Sequence, residues 1–221
     1  MPTVQIAIDG PAGAGKSTVA KHVAKHLNIT YIDTGAMYRA ITLKALQLNI
    51  DLDDAKSYIF VKDTAFQFND HHIYMDGVDV SAKIRETNVT AHVSKVSSVP
   101  YVRQALVALQ RDLAKTESVV MDGRDIGTNV LVDATHKFFL TATIDERARR
   151  RYYDNLNRGI KSNLDDIKKD IARRDYLDTT RQVNPLKPAE DAVIIDTSNL
   201  TLDEVITLII ENIGEVEEHG I

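Results

Sequence analysis

Two periods of apolar spacing alternate along this chain. Thr3–Asp9 (TVQIAID) alternates β-branched and polar residues and runs into a glycine-rich turn, so it reads as a strand. From Lys16 to about Leu27 the apolar positions recur every three or four residues, which predicts a helix. Ile29–Ile32 predicts a second strand and Gly35–Asn49 a second helix, while Asp51–Asp54 can cap a short third one. Further along, Ser118–Met121, Lys137–Ala142 and Val193–Asp196 are apolar runs of the buried-strand type. Helical spacing fills Asp145–Asn157 and Leu164–Tyr176, divided by Gly159, and then Leu202–Ile213. Five strands alternating with helices predict an α/β fold of three layers, with a five-stranded parallel sheet between the helices.

One stretch breaks that alternation. Ala65–Asn69 and Ile73–Met75 read as a hairpin closed around Asp70–His72, with a further short strand at Val78–Val80. Helical spacing then resumes to Ser98 and again from Tyr101 to Lys115, separated by Pro100, a helix-start signal. Residues 62–91 are therefore expected as a small inserted α+β subdomain. The core would be 1–61 and 92–221, all within a single domain spanning 1–221. A length of 221 residues suits one compact domain with an insertion better than two independent ones.

Composition then removes whole classes of function. With 43% hydrophobic and 27% charged residues, wholesale disorder is excluded. No cysteine means no disulfide scaffold, no cysteine-ligated metal and no thiol nucleophile. A formal net charge of −5 argues against a non-specific nucleic-acid binder, which needs many Lys and Arg contacts to phosphate. No run approaches the length of a membrane span and Met1–Gly10 lacks a basic signal-peptide start, so the expectation is a cytoplasmic protein with no membrane or nucleic-acid partner, working as a monomer. The charge is uneven, however. Asp145–Arg181 holds 11 Lys and Arg against 8 Asp and Glu, including 8 of the 13 arginines. That pattern fits phosphate handling. It equally fits a solvated helix face, because Glu146/Arg150 and Asp170/Arg174 are spaced for i,i+4 pairing.

The strongest chemical signal opens the chain. Gly10-Pro11-Ala12-Gly13-Ala14-Gly15-Lys16-Ser17, followed by Thr18, matches G-x-x-x-x-G-K-[ST], and it follows a predicted strand and opens a predicted helix. A chain free of obstructing Cβ atoms lets backbone N–H groups surround a phosphate, and the helix N-terminus adds partial positive charge. Lys16 would reach the β- and γ-phosphates and the Ser17 hydroxyl would hold Mg²⁺. Two reaction classes share such a loop: a GTPase switch and a kinase. Guanine recognition normally uses Asn-Lys-x-Asp, and no Asn here is followed by Lys. A small phosphotransferase remains, and it needs an acceptor site and a mobile cover against water.

Two strand ends supply candidates for the acceptor site. Asp33-Thr34-Gly35-Ala36-Met37-Tyr38-Arg39 follows the second strand, placing Thr34 and Arg39 at the carboxyl edge of the sheet, where α/β sites form. Met121-Asp122-Gly123-Arg124-Asp125 ends the third core strand at the same edge, with Asp122 placed to meet Mg²⁺ directly or through water.

With these residues in view, the chain resembles the bacterial cytidylate kinases of the nucleoside monophosphate kinase group, from about Val4 to Gly214. The marks are GPAGAGKST at Gly10–Thr18, DTGAMYR at Asp33–Arg39, DGRDIGT at Asp122–Thr128 and RRDYLDTTR at Arg173–Arg181. The resemblance implies that 62–91 enlarges the monophosphate-binding part and that a helical lid lies at about 147–162. It implies phosphate binding by Arg39, Arg124 and Arg181, cytosine reading by Ser94, Arg103 and Asp125, and ribose binding by Arg174 and Asp178. The base assignment is chemically consistent, since cytosine N4 donates to a carboxylate while O2 and N3 accept. Lys16 and Arg124, with Arg150 and Arg158 from the lid, would be catalytic, and Mg-ATP would donate its γ-phosphoryl group to CMP or dCMP. A monophosphate kinase with a different or broader pyrimidine choice is the alternative. His22 and His26 lie on one helix face without a third ligand, and His71–His72 sits in the expected hairpin turn; both pairs read as solvated.

Overall fold

The computed structural model describes residues 3–69, 72–157 and 159–218. The chain divides into two compact units, residues 1–31 with 117–221, and residues 32–116.

The first unit is built on strands β1 (Gln5–Asp9), β2 (Thr30–Asp33, shared with the start of the second unit), β6 (Val119–Gly123), β7 (His136–Thr141) and β8 (Val193–Asp196). Their order in the sheet is β2-β6-β1-β7-β8. β1 pairs in parallel with β6 (Ala7 opposite Met121, Asp9 opposite Gly123) and with β7 (Ile8 opposite Phe138). Strands enclosed on both faces need no polar alternation, which is why β6 (VVMDG) is buried throughout. Helices α1 (Lys16–Leu27) and α7 (Leu202–Glu218) cover one face: Val19 and Val23 of α1 and Val205, Ile209 and Ile213 of α7 pack with Ile6, Ile8, Val120, Phe138 and Leu140. β1 lies at the centre: the chain runs from it past the position of β6 to β2, and later from β6 past β1 to β7. Open α/β sheets place their ligands at such a reversal of direction, here the carboxyl ends of β1 and β6.

Three sequence expectations change here. Val193–Asp196 is not a buried strand: β8 lies at the sheet edge, and Ile194 is 61% exposed. The helix expected over Leu164–Tyr176 continues as α6 (Leu164–Thr180), after α5 (Ile144–Asn157). The hydroxyls of Thr179 and Thr180 bond back to the carbonyls of Asp175 and Tyr176 (2.7 and 2.6 Å), so polar residues that suggest a helix end are accommodated inside the last turn. Beyond β6, Ile126–Val130 forms a π-type turn that no periodicity announces.

The second unit holds α2 (Thr34–Gln47), a tight helical segment at Ala55–Asp63 capped by Asp54, and strands β3 (Phe66–Asn69), β4 (His72–Met75) and β5 (Val78–Asp79) in antiparallel order. The β3–β4 turn expected at Asp70–His72 falls largely on residues 70–71, outside the described residues. Asp76 (φ 52°) and Gly77 (φ 79°) close β4 onto β5, the left-handed pair that a two-residue hairpin requires. Helices α3 (Thr87–Ser98) and α4 (Pro100–Thr116) follow, and Pro100 occupies the first turn of α4. Among the described residues, no helix is long and apolar enough to cross a membrane.

Candidate active site

The phosphate-binding loop leaves β1 at Gly10. Its φ is 146°, and a Cβ there would lie 2.0 Å from the Leu140 carbonyl oxygen, so only glycine fits so close to β7. Gly15 caps α1 with no side chain accepting the first-turn N–H groups, which leaves them for an anion. Pro11, Ala14 and Lys16 are buried, while Gly13, Ser17 and Thr18 are exposed. The Lys16 ammonium donates to the Pro11 carbonyl at 2.8 Å. Burial first, and then the charge of Arg124, lower its pKa to about 7. A polyphosphate beside it would favour the charged form again.

Ser17 Oγ donates to Asp122 Oδ2 at 2.9 Å, bringing the two expected metal ligands together. The other oxygen of Asp122 accepts from the Tyr31 hydroxyl at 2.7 Å. One hydroxyl and one carboxylate oxygen are the hard donors a small divalent cation takes, with phosphate and water completing the shell.

Past Asp122 the same strand end turns outward. Arg124 Nε donates to Asp178 Oδ2 (2.9 Å), and Arg181 Nη2 donates to Asp125 Oδ1 (3.0 Å). Asn129 Nδ2 donates to Asp125 Oδ2 (3.2 Å), and Arg181 Nε to the Asn184 carbonyl (2.6 Å). Arg174 is half-buried on α6, one turn before Asp178. The structure thus joins four expected acceptor residues, Arg124 to Asp178 and Asp125 to Arg181, across 54 and 56 positions of sequence.

In the second unit, Asp33 caps α2 by accepting from the Ala36 N–H and holds Arg39 Nη2 at 2.9 Å. Burial opposes the Asp33 charge, but Arg39, the Ala36 amide and Arg85 outweigh it and keep the carboxyl below its ordinary range. Arg39 Nε is buried with no hydrogen-bond partner among the described residues. Thr34 is buried at the first turn of α2. Arg103, also buried, donates to the Ser97 carbonyl (3.3 Å) and lies 5.5 Å from the Tyr38 ring centroid, while Ser94 is half-buried one turn before Ser97.

The arginines expected in a lid divide. Arg150 donates to Glu146 (2.9 Å), to Thr197 Oγ1 (3.0 Å) and to the Thr197 carbonyl (2.6 Å). Arg149 is exposed, and Arg158 lies outside the described residues. Arg147 is buried and bonds the Ala12 and Ala142 carbonyls (3.1 and 2.9 Å) and Asp175 (2.7 Å), which ties α5 to the phosphate-binding loop. Sequence reading missed Tyr31, Asn129 and Thr197. Each is an ordinary polar residue whose partner lies far away or on an unannounced turn.

The family profile described as cytidylate kinase matches residues 6–215. A cytidylate kinase from Alkaliphilus oremlandii is 51% identical over 211 residues, covering 95% of this chain and 97% of that protein. One from Acholeplasma laidlawii is 48% identical over 211 residues, covering 96% and 95%. Among solved structures, a gluconokinase from Sinorhizobium meliloti is similar with a TM-score of 0.53 at 13% identity, covering 98% of this chain and 94% of that one; at that identity the likeness speaks for the fold alone.

Proposed function

The chain belongs to the cytidylate kinase family, and from that membership we propose that it transfers the γ-phosphoryl group of Mg-ATP to CMP or dCMP, giving ADP and the cytidine diphosphate. The observation that carries the reading is the end of β6. Within four residues, Asp122 meets Ser17 of the phosphate-binding loop while Arg124 and Asp125 meet Asp178 and Arg181. One strand end thus serves donor and acceptor.

The acceptor phosphate is already an anionic nucleophile, so no strong base or covalent intermediate is needed. An α-phosphate oxygen of CMP attacks the γ-phosphorus, and the bond to the β-γ bridging oxygen breaks as ADP leaves. Lys16 and the amides of the Gly10–Thr18 loop hold the β- and γ-phosphates. Arg39, Arg124 and Arg181 hold the acceptor phosphate and neutralise developing charge. Ser17 and Asp122 would hold Mg²⁺, which when bound supplies charge neutralisation on the β- and γ-phosphate oxygens. Ser94, Arg103 and Asp125 read the base, and Arg174 and Asp178 the ribose. Residues 62–91 serve the monophosphate and 147–162 close as a lid, bringing Arg150 and Arg158 to the phosphates. For Arg150 this means exchanging its bonds to Thr197. Such an enzyme works where nucleotides are, in the cytoplasm.

The test is ADP release measured across the common nucleoside monophosphates. CMP and dCMP should drive turnover, with UMP weaker and purine monophosphates near background. ADP release that does not depend on any acceptor would point instead to a nucleotide-hydrolysing switch.

A further inference from the structure

Asp9 ends the central strand, opposite Gly123 of β6 and Phe139 of β7, and is only 4% exposed. Its carboxylate accepts from two consecutive backbone amides, Ile126 N–H at 2.8 Å and Gly127 N–H at 2.7 Å. Those amides follow directly on Arg124 and Asp125. They open the π-type turn, in which Asn129 N–H donates to the Asp125 carbonyl (3.0 Å) and Leu131 N–H to the Ile126 carbonyl (2.7 Å). Gly127 is held from the other side as well: a Cβ there would lie 3.2 Å from Lys137 Cδ and 3.5 Å from Asp9 Oδ2. The turn is therefore seated between β1 and β7 with little room to shift.

A buried carboxylate is a costly way to satisfy two amides, and a strand end can close without one. What the carboxylate adds is a bidentate grip on adjacent N–H groups, which fixes the plane of the peptide between them. We infer that Asp9 is a positioning residue for the acceptor site, holding the Arg124–Asp125 strand end in the geometry that receives the monophosphate. The inference rests on the reading of Arg124 and Asp125 as acceptor residues given above. Asp9 touches no substrate in it; it acts through the turn.

Asp9→Asn is nearly isosteric but presents an NH₂ group where one amide needs an acceptor, so the turn must shift. Removing one partner of a buried hydrogen-bonded group predicts a KM for CMP raised about tenfold, with the KM for ATP moved less than about threefold and a narrower preference for CMP over UMP. A defect in folding alone would not separate the two substrates. Should Asp9→Asn fail to fold, Gly127→Ala sets a Cβ 3.2 Å from Lys137 Cδ, so that the turn or the Lys137 side chain must give, and a displaced turn should give the same split. Equal losses for ATP and CMP, or a loss for ATP alone, would assign Asp9 to the adjoining phosphate-binding loop and overturn the inference, as would unchanged kinetics. Arg124→Ala and Asp125→Ala, measured beside it, separate the two failures. If they weaken CMP use while Asp9→Asn does not, only the positioning role falls. If they too leave CMP use intact, the acceptor-site reading itself is wrong.

Discussion

Asp9 carries a charge that its surroundings oppose. Burial, with Asp125 nearby, raises its pKa from 3.8 to about 6, against the two amide bonds and Lys16, which favour the ionised form. Because the folded value is the higher one, the native state holds a proton between about pH 4 and 6 that the unfolded chain has lost. The stabilising contribution of this group is therefore complete below about pH 4 and disappears as the pH rises through about 6. An asparagine cannot titrate. The stability advantage of the wild type over Asp9→Asn should accordingly shrink between pH 4.5 and pH 6.5, read as the difference in urea unfolding midpoints. An advantage that grows over that range would mean that the folded protein prefers the ionised carboxylate. The same residue scale shows where sequence reading stops. Lys16, Ser17 and Asp122 are legible because their motifs name them, but Tyr31, which orients Asp122 from 91 positions away, is not.

Among the elements, the two ends of the backbone range separate by what surrounds them. Gly10 and Gly77 both have positive φ, yet an added Cβ at Gly10 would strike the backbone of Leu140, while at Gly77 nothing lies within 4 Å. Gly77→Ala should cost about 1 kcal/mol, the price of the left-handed conformation alone. Gly10→Ala must also push β1 and β7 apart and should cost more than about 4 kcal/mol or prevent folding. Thermal unfolding of the two variants distinguishes them, and similar losses would contradict the tight packing of the loop against β7. Strand and helix order was legible from apolar spacing: β6 and β7 are enclosed and read as buried runs, whereas β1 read as an alternating strand although Ile6–Asp9 is buried throughout. β8 was not, because an apolar run such as Val193–Ile195 looks the same at a sheet edge as at its centre, and covering depends on neighbours remote in sequence. The turn after Asp125 was hidden for the same reason: its geometry is set by Asp9, 117 and 118 positions earlier.

For the molecule as a whole, the parallel sheet places a phosphate-binding loop and a charged strand end side by side, and family membership turns that layout into phosphoryl transfer to a cytidine monophosphate. The most direct test is base choice. In the proposed reading the exocyclic N4 of CMP is a donor that the Asp125 side chain would satisfy, whereas UMP would present a carbonyl oxygen there, setting two acceptors against each other away from water. An unsatisfied buried polar group costs about 1–3 kcal/mol, or roughly 5–150-fold in selectivity. The measurement is kcat/KM for CMP and UMP with wild type and Asp125→Ala. The wild type should prefer CMP by a factor in that range, and Asp125→Ala should lose mainly CMP activity and narrow the preference. A wild type indifferent to the base, or a variant that weakens both nucleotides by the same factor, would contradict the account.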